Sequence, residues 1–212
     1  MEIEKVWFYG SEEDITNNMI ISSIIVDDFY NNPQETREFA LKQEFNVIGN
    51  YPGYRTVPFY NESVVNLIQD IVFFAGGKIT KWSTDEYNGA FQYATQKDRS
   101  WMHADQTTSW AGVCFLTPNA PISSGTGLFR HKETGIHTAP RKNDGTYDYD
   151  MLDRLYLDSQ DMTKWEMTDM LGNKFNRLVL YRADNFHTSL DYFGRNLEDG
   201  RLFQTFFFDT ER

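Results

Sequence analysis

The chain has 212 residues, a net charge of -11, a single cysteine and 16% aromatic residues. The charge excludes a protein that wraps a phosphate backbone, whose affinity comes from Lys and Arg. One cysteine excludes an intrachain disulfide and fits a reducing compartment, and the abundant ring area excludes disorder. No stretch reaches the roughly 20 apolar residues that span a bilayer. The start, MEIEKVWFYG, lacks the basic and apolar regions of a signal peptide. The expectation is one soluble, cytoplasmic domain over 1–212, with no membrane or nucleic-acid partner.

In chain order, IISSIIVDDF (20–29) is rich in β-branched residues and predicts a strand. A helix start comes next, with Asn32 as cap, Pro33 in the first position and Glu35 three residues after the cap, as in a capping box. Phe39, Leu41 and Phe45 give that helix an imperfect apolar face. A second helix begins after Asn61. Val64, Leu67, Ile68 and Ile71 recur at helical spacing, and Gly76-Gly77 ends it. The pattern then changes to strands. GKITKW and AFQYAT flank Asn88-Gly89, which predicts a tight hairpin. AGVCFLT (111–117), GLFRH (127–131), FNRLVLY (175–181) and LFQTFFF (202–208) complete the set. Helices first and strands after predict an α+β, mainly β chain: residues 1–77 support a β core over 78–209. The polar segment 132–174 interrupts the strands and reads as an insertion or lid, with a short helix near 149–158.

The chemistry concentrates in SWMHADQTTSW. His103 and Asp105 are two apart, so an extended backbone turns both side chains to one face. Four histidines and 18 aspartates in 212 residues make a chance His-x-Asp triplet about a one-in-three event, so the triplet alone is a weak motif. Two residues further along the chain give it weight. His187, in YRADNFHTSL, comes 84 residues later, and Arg201 opens the last strand 14 residues after that. Two imidazoles and a carboxylate on one side of a metal leave the other side open, the arrangement of non-haem Fe(II) oxygenases. The open positions accept a bidentate keto acid and dioxygen. A second carboxylate on that keto acid then calls for a guanidinium fork, which Arg201 provides. His131 and His137 are rival third ligands, and Arg177, Arg182 and Arg195 are rival anchors. Cys114 reads as a small core residue, and Trp110 and Trp101 as packing or as walls of a substrate site.

The residues HAD at 103–105, FHTS around His187 and GRLFQTFFF from Arg201 resemble the 2-oxoglutarate/Fe(II)-dependent dioxygenases. AFQYAT upstream of the triplet and SGTGLFRH after AGVCFLTP are similar to the prolyl-4-hydroxylase-like branch. The resemblance covers about residues 78–209. It implies a double-stranded β-helix (jelly-roll) core with supporting N-terminal helices. It also implies Fe(II) on His103, Asp105 and His187, and 2-oxoglutarate with its far carboxylate on Arg201, with Tyr93 as a second contact. The implied reaction consumes O2, converts 2-oxoglutarate to succinate and CO2, and oxidises a small-molecule or peptide substrate. Asp105 favours hydroxylation, since the iron halogenases of this superfamily carry a small residue at that position. Two departures put a prolyl substrate in doubt: an Arg anchor where many prolyl hydroxylases use Lys, and the 132–174 segment. The acidic balance favours a neutral or basic substrate. The alternative is a cupin-like jelly-roll metal protein without keto-acid chemistry. The single histidine of the His-x-Asp segment argues against it, since cupins supply more histidines there.

Overall fold

The computed structural model describes residues 21–85 and 87–211, so the opening MEIEKVWFYG lies outside the described residues. Their elements, in chain order, are β1 (Ser23–Val26), α1 (Pro33–Leu41), β2 (Tyr54–Pro58), α2 (Glu62–Gly76), β3 (Ile79–Trp82), β4 (Ala90–Ala94), β5 (Trp110–Phe115), β6 (Thr126–His131), α3 (Tyr149–Tyr156), β7 (Trp165–Leu171), β8 (Leu178–Arg182), β9 (His187–Ser189) and β10 (Arg201–Thr210). The chain is mainly β, and every strand pairing is antiparallel. The larger sheet runs β1-β8-β5-β10-β4-β2, with β3 also on β10, and the smaller runs β7-β6-β9.

Period-two alternation divides the larger sheet into two faces. On β5, β8 and β10, Trp110, Cys114, Leu178, Leu180, Leu202, Phe206 and Phe208 point one way. There they meet Ala40 of α1 and Ile68 and Val72 of α2. Ala111, Val113, Phe115, Val179, Tyr181 and Phe203 point the other way and meet Leu128 and Leu171 of the smaller sheet. Behind the smaller sheet, Phe129 and Trp165 pack with Leu152 and Leu155 of α3 and with Met102, Ala104 and Phe186. Among the described residues no helix is long and apolar enough to cross a membrane.

Several local expectations change. Asn88-Gly89 makes no hairpin: β3 and β4 lie one after the other along the same edge of β10. Gly89 takes φ +79. Its N–H donates to Thr205 O at 2.7 Å, and the Asn88 side chain bonds Ser83 O and the Phe207 N–H. The turn chemistry is present, but β10 is a better partner for both strands than either is for the other. In α1 the Asn32 side chain makes no cap, whereas Asn61 caps α2 by accepting from Val64 N at 3.2 Å. Leu67 slips off the buried face of α2 and is 38% exposed. The 132–174 segment contains α3, close to its predicted place, and also β7, which pairs with β6 along its length. Its outward residues Glu166–Met170 are polar or methionine, which hid the strand. The short strands β2 and β9 also went unread.

Candidate metal centre

Residues 103–105 run alongside the chain entering β9. His103 N–H donates to His187 O at 3.1 Å, His187 N–H to His103 O at 2.8 Å, and Asp105 N–H to Ala183 O at 2.8 Å. This pairing replaces the regular strand expected for the triplet. It keeps the alternation: Met102 and Ala104 enter the α3 core, and His103 and Asp105 face the opposite way. The backbone bridge sets the two imidazoles side by side, with ring centroids 4.3 Å apart.

One ligand atom from each of His103, Asp105 and His187 lies within 4.8 Å of the other two, the one such cluster of His, Cys, Asp or Glu among the described residues. The Asp105 carboxylate is 3.7 Å from His187 Nε2. Both histidines engage Nδ1 with a backbone carbonyl, His103 with Trp101 O at 3.0 Å and His187 with Asn185 O at 2.8 Å. A carbonyl can only accept, so Nδ1 carries the proton and Nε2 presents its lone pair to the cluster, the orientation that a metal-binding imidazole needs. Burial, and next the adjacent His103, bring His187 down to about 4 against the pull of Asp105, so its imidazole is neutral at neutral pH. His131 is elsewhere, held by Thr134 and by Asp158 at 3.1 Å, and His137 is exposed.

The cluster opens on a cavity of about 290 Å3, whose walls include Arg55, Gln92, Trp101, Tyr181, Ser189, Phe203 and Thr205. That volume is near the lower end of small-ligand sites, roughly 300–1,000 Å3. Of the two flanking tryptophans, Trp101 lines the cavity, and Trp110 is fully buried in the core. Cys114 is also buried in the core, and burial pushes its thiol up.

Arg201 is wholly buried. Its Nε donates to Ser124 O at 2.8 Å and its Nη2 to Gly125 O at 3.3 Å. The guanidinium carbon lies 4.4 Å from the Phe203 ring centre and 5.3 Å from that of Phe115. Gly125 is required where it stands, because a Cβ there would lie 2.0 Å from Leu171 O; the glycine turn thus brings a carbonyl up to the arginine. Nη1 is buried with no hydrogen-bond partner, and so is the hydroxyl of Tyr192. No acidic group pairs with Arg201 among the described residues, and burial lowers its pKa, against the opposing effects of Tyr192 and Tyr181. The rival arginines are engaged: Arg177 with Asp27 at 2.7 Å, Arg195 with Asp199 at 3.4 Å, and Arg182 over the Trp110 ring.

Tyr93 is not brought to this site. It is paired with Leu202 in the β4–β10 register, so it shares the helix-covered face, where it stacks on Tyr54 and meets Phe45. The residue that β4 turns to the cavity is its neighbour Gln92, opposite Phe203. Of the cavity's tyrosines, Tyr51, Tyr87 and Tyr181, the one in ring contact with the cluster is Tyr181 of β8, its ring 4.8 Å from that of His187. Burial raises the Tyr181 phenol far above its ordinary value, and it feels both Asp105 and Arg201. Alternation along FNRLVLY held that signal, because Tyr181 follows Val179 on the face away from Leu178 and Leu180.

A model of a family of unknown function, DUF6445, matches residues 16–208. The chain belongs to that family. Among curated proteins no significant match is found. Solved structures share the DUF6445 chain's fold at low identity. HygX from Streptomyces hygroscopicus, solved with nickel and 2-oxoglutarate bound, superposes with a TM-score of 0.57 at 9% identity, over 89% of this chain and 83% of HygX. The same protein has also been solved with nickel, 2-oxoglutarate and hygromycin B, and that structure gives 0.56 at 8% identity over the same shares of both chains. A Trichoplax adhaerens prolyl hydroxylase, in complex with a hypoxia inducible factor peptide fragment, gives 0.50 at 12% identity over 89% and 84%. The fold is therefore one shared with HygX and with a prolyl hydroxylase, as the resemblance in the sequence implies.

Proposed function

We propose that this protein is a non-haem Fe(II) and 2-oxoglutarate-dependent oxygenase, acting as a hydroxylase on a small-molecule or peptide substrate. In this reading the two sheets are the halves of a double-stranded β-helix over residues 78–209, supported by residues 1–77, in a single domain spanning 1–212. His103, Asp105 and His187 hold the metal through Nε2, a carboxylate oxygen and Nε2. The observation that carries the reading is the unpartnered Nη1 of Arg201, buried with the orphaned Tyr192 hydroxyl. A buried guanidinium without a counter-ion is costly, and a carboxylate brought in with a ligand removes that cost. The donor set fits the metal as well: two imidazoles and one carboxylate on one side leave open positions.

When bound, iron and 2-oxoglutarate supply the oxidising chemistry, with O2 consumed and succinate and CO2 released. The chain supplies position and shelter. The carbonyls of Trp101 and Asn185 fix the ring orientations of His103 and His187. Tyr181 touches the His187 ring, feels both Asp105 and Arg201, and is held protonated by burial, so in this reading it can donate a hydrogen bond to an anion in the cavity. Arg201 does not line the cavity itself, whereas Phe203, whose ring centre is 4.4 Å from the guanidinium carbon, and Thr126 do. The far carboxylate therefore reaches Nη1 only when one of those side chains turns aside.

The test is calorimetric titration of 2-oxoglutarate into protein loaded with Zn(II), a redox-inert substitute. Wild type should bind, and Arg201→Met should bind far more weakly with Zn(II) affinity unchanged. Equal 2-oxoglutarate affinity in both would remove Arg201 as the anchor. Tight metal binding without any 2-oxoglutarate binding would favour the cupin-like alternative.

A further inference from the structure

A second buried arginine, unlike Arg201, lines the cavity itself and has no part in the metal cluster or the keto-acid anchor. Arg55 of β2 is 6% exposed, yet it lines the cavity that holds His103, Asp105 and His187. Its Nε and Nη2 both donate to Gln92 Oε1. Its guanidinium carbon sits 3.9 Å from the Tyr51 ring centre and 4.4 Å from that of Tyr87. Gln92 is in turn fixed by donating to Pro52 O at 2.6 Å. A guanidinium has five N–H donors, and those two bonds leave three without an acceptor. No carboxylate pairs with Arg55 among the described residues. Burial brings it down to about 10, so it is charged at neutral pH.

The arrangement is a cationic fork flanked by two aromatic rings whose centres lie 5.5 Å apart on one side of it, with its Nε/Nη2 edge tied to Gln92 and no hydrogen-bond acceptor on the Nη1/Nη2 edge among the described residues. That free edge matches two oxygens of a planar or tetrahedral oxyanion. The register β2–β4–β10 puts Arg55, Gln92 and Phe203 in one row across the sheet, with Arg201 two residues along β10 from Phe203. The two cations therefore occupy separate positions on the cavity face of the sheet.

We propose that Arg55 recognises the primary substrate, and that this substrate carries an oxyanion, a carboxylate or a phosphate, which the free Nη1/Nη2 edge holds while the remainder of the molecule lies toward the metal cluster. This rests on the oxygenase reading. It reverses, locally, the expectation of a neutral or basic substrate drawn from the net charge of -11: the overall charge governs approach, whereas the cavity holds a buried cation that feels Asp85 and Asp105 only at a distance and has no salt-bridge partner among the described residues.

The experiment titrates benzoate, phenyl phosphate and benzamide into protein saturated with Zn(II) and 2-oxoglutarate, so that Arg201 is already occupied, and repeats the titrations without either. At least one anion should bind tenfold or more tightly than benzamide, and lose that advantage in Arg55→Gln while Arg55→Lys retains part of it. Preference for benzoate identifies a carboxylate and preference for phenyl phosphate a phosphate. Thermal unfolding confirms that each variant is folded. If Arg55→Gln does not fold, the comparison of anions with benzamide in wild type still decides. No preference for either anion, including no binding at all, overturns the proposal. So does loss of 2-oxoglutarate binding in Arg55→Gln, which would make Arg55 a cosubstrate contact. Failure of wild type to bind 2-oxoglutarate, with the anion preference intact, would instead sink the oxygenase reading and leave the Arg55 anion site standing.

Discussion

The two faces of the larger sheet use the same strands for opposite purposes. Along β10, Leu202, Phe206 and Phe208 are fully buried against the helices, and the polar member of that row, Gln204, is satisfied by Tyr30, Phe59 O and Gly89 O. One residue over, Arg201 keeps a buried donor without a partner, and Phe203 and Thr205 front a cavity. Both faces carry an orphaned donor, since Trp82 Nε1 on the helix face is also buried without a partner. But the two buried arginines, Arg55 and Arg201, both lie on the cavity face, and neither has a salt-bridge partner among the described residues. A buried charge costs far more to leave unpaired than an indole N–H. Unpaired buried charge therefore marks the site more sharply than an orphaned polar group alone does.

Substitutions on the two faces should separate stability from binding. Phe206→Ala, on the helix face, should cost about 3–5 kcal/mol of stability by cavity formation, read from urea unfolding, with metal affinity unchanged in the folded protein. A loss of metal affinity in folded Phe206→Ala would show that the faces are not independent. His187→Ala should weaken metal binding by more than about a hundredfold, beyond the 10–100-fold that outer-shell partners of a ligand are worth, with little change in unfolding. Arg201→Met should raise the 2-oxoglutarate Kd by at least about thirtyfold, the ~2 kcal/mol lower bound for truncating one partner of a buried charge pair. An apolar side chain in that pocket should leave stability level or improved. The smallest contrast is between tyrosines: Tyr181→Phe should weaken 2-oxoglutarate binding by about fivefold, the net worth of one hydrogen bond of roughly 1 kcal/mol, and Tyr93→Phe should leave it unchanged. An effect of Tyr93→Phe equal to that of Tyr181→Phe would break the assignment of faces.

The parts legible in the sequence were those fixed by period and by local chemistry. The strands of 111–117, 127–131 and 202–208 were visible as apolar runs, and α2 as a helical repeat closed by glycines. His103, Asp105, His187 and Arg201 were visible because their order along the chain carries meaning even when their distances do not. What escaped depended on pairing. β7 is polar on its exposed side, β9 has three residues, and β2 combines Arg55 and Thr56 with a terminal proline. The family resemblance points to Tyr93 on the strand before the triplet, but a shift of one position in a strand changes its face, and the β4–β10 register sets that face. Arg55 carried no motif at all; only the pairing of β2 with β4 places it beside Gln92 in the cavity.

The measurement that tests the central claim most directly is anaerobic titration of metal-free protein with Fe(II) and then 2-oxoglutarate, followed by visible absorption. A metal-to-ligand charge-transfer band should appear with wild type, vanish in His187→Ala, and require far more 2-oxoglutarate in Arg201→Met. Fe(II) binding with no band at any 2-oxoglutarate concentration would contradict the oxygenase reading, and failure to bind Fe(II) at all would reduce His103, Asp105 and His187 to a chance meeting of polar side chains.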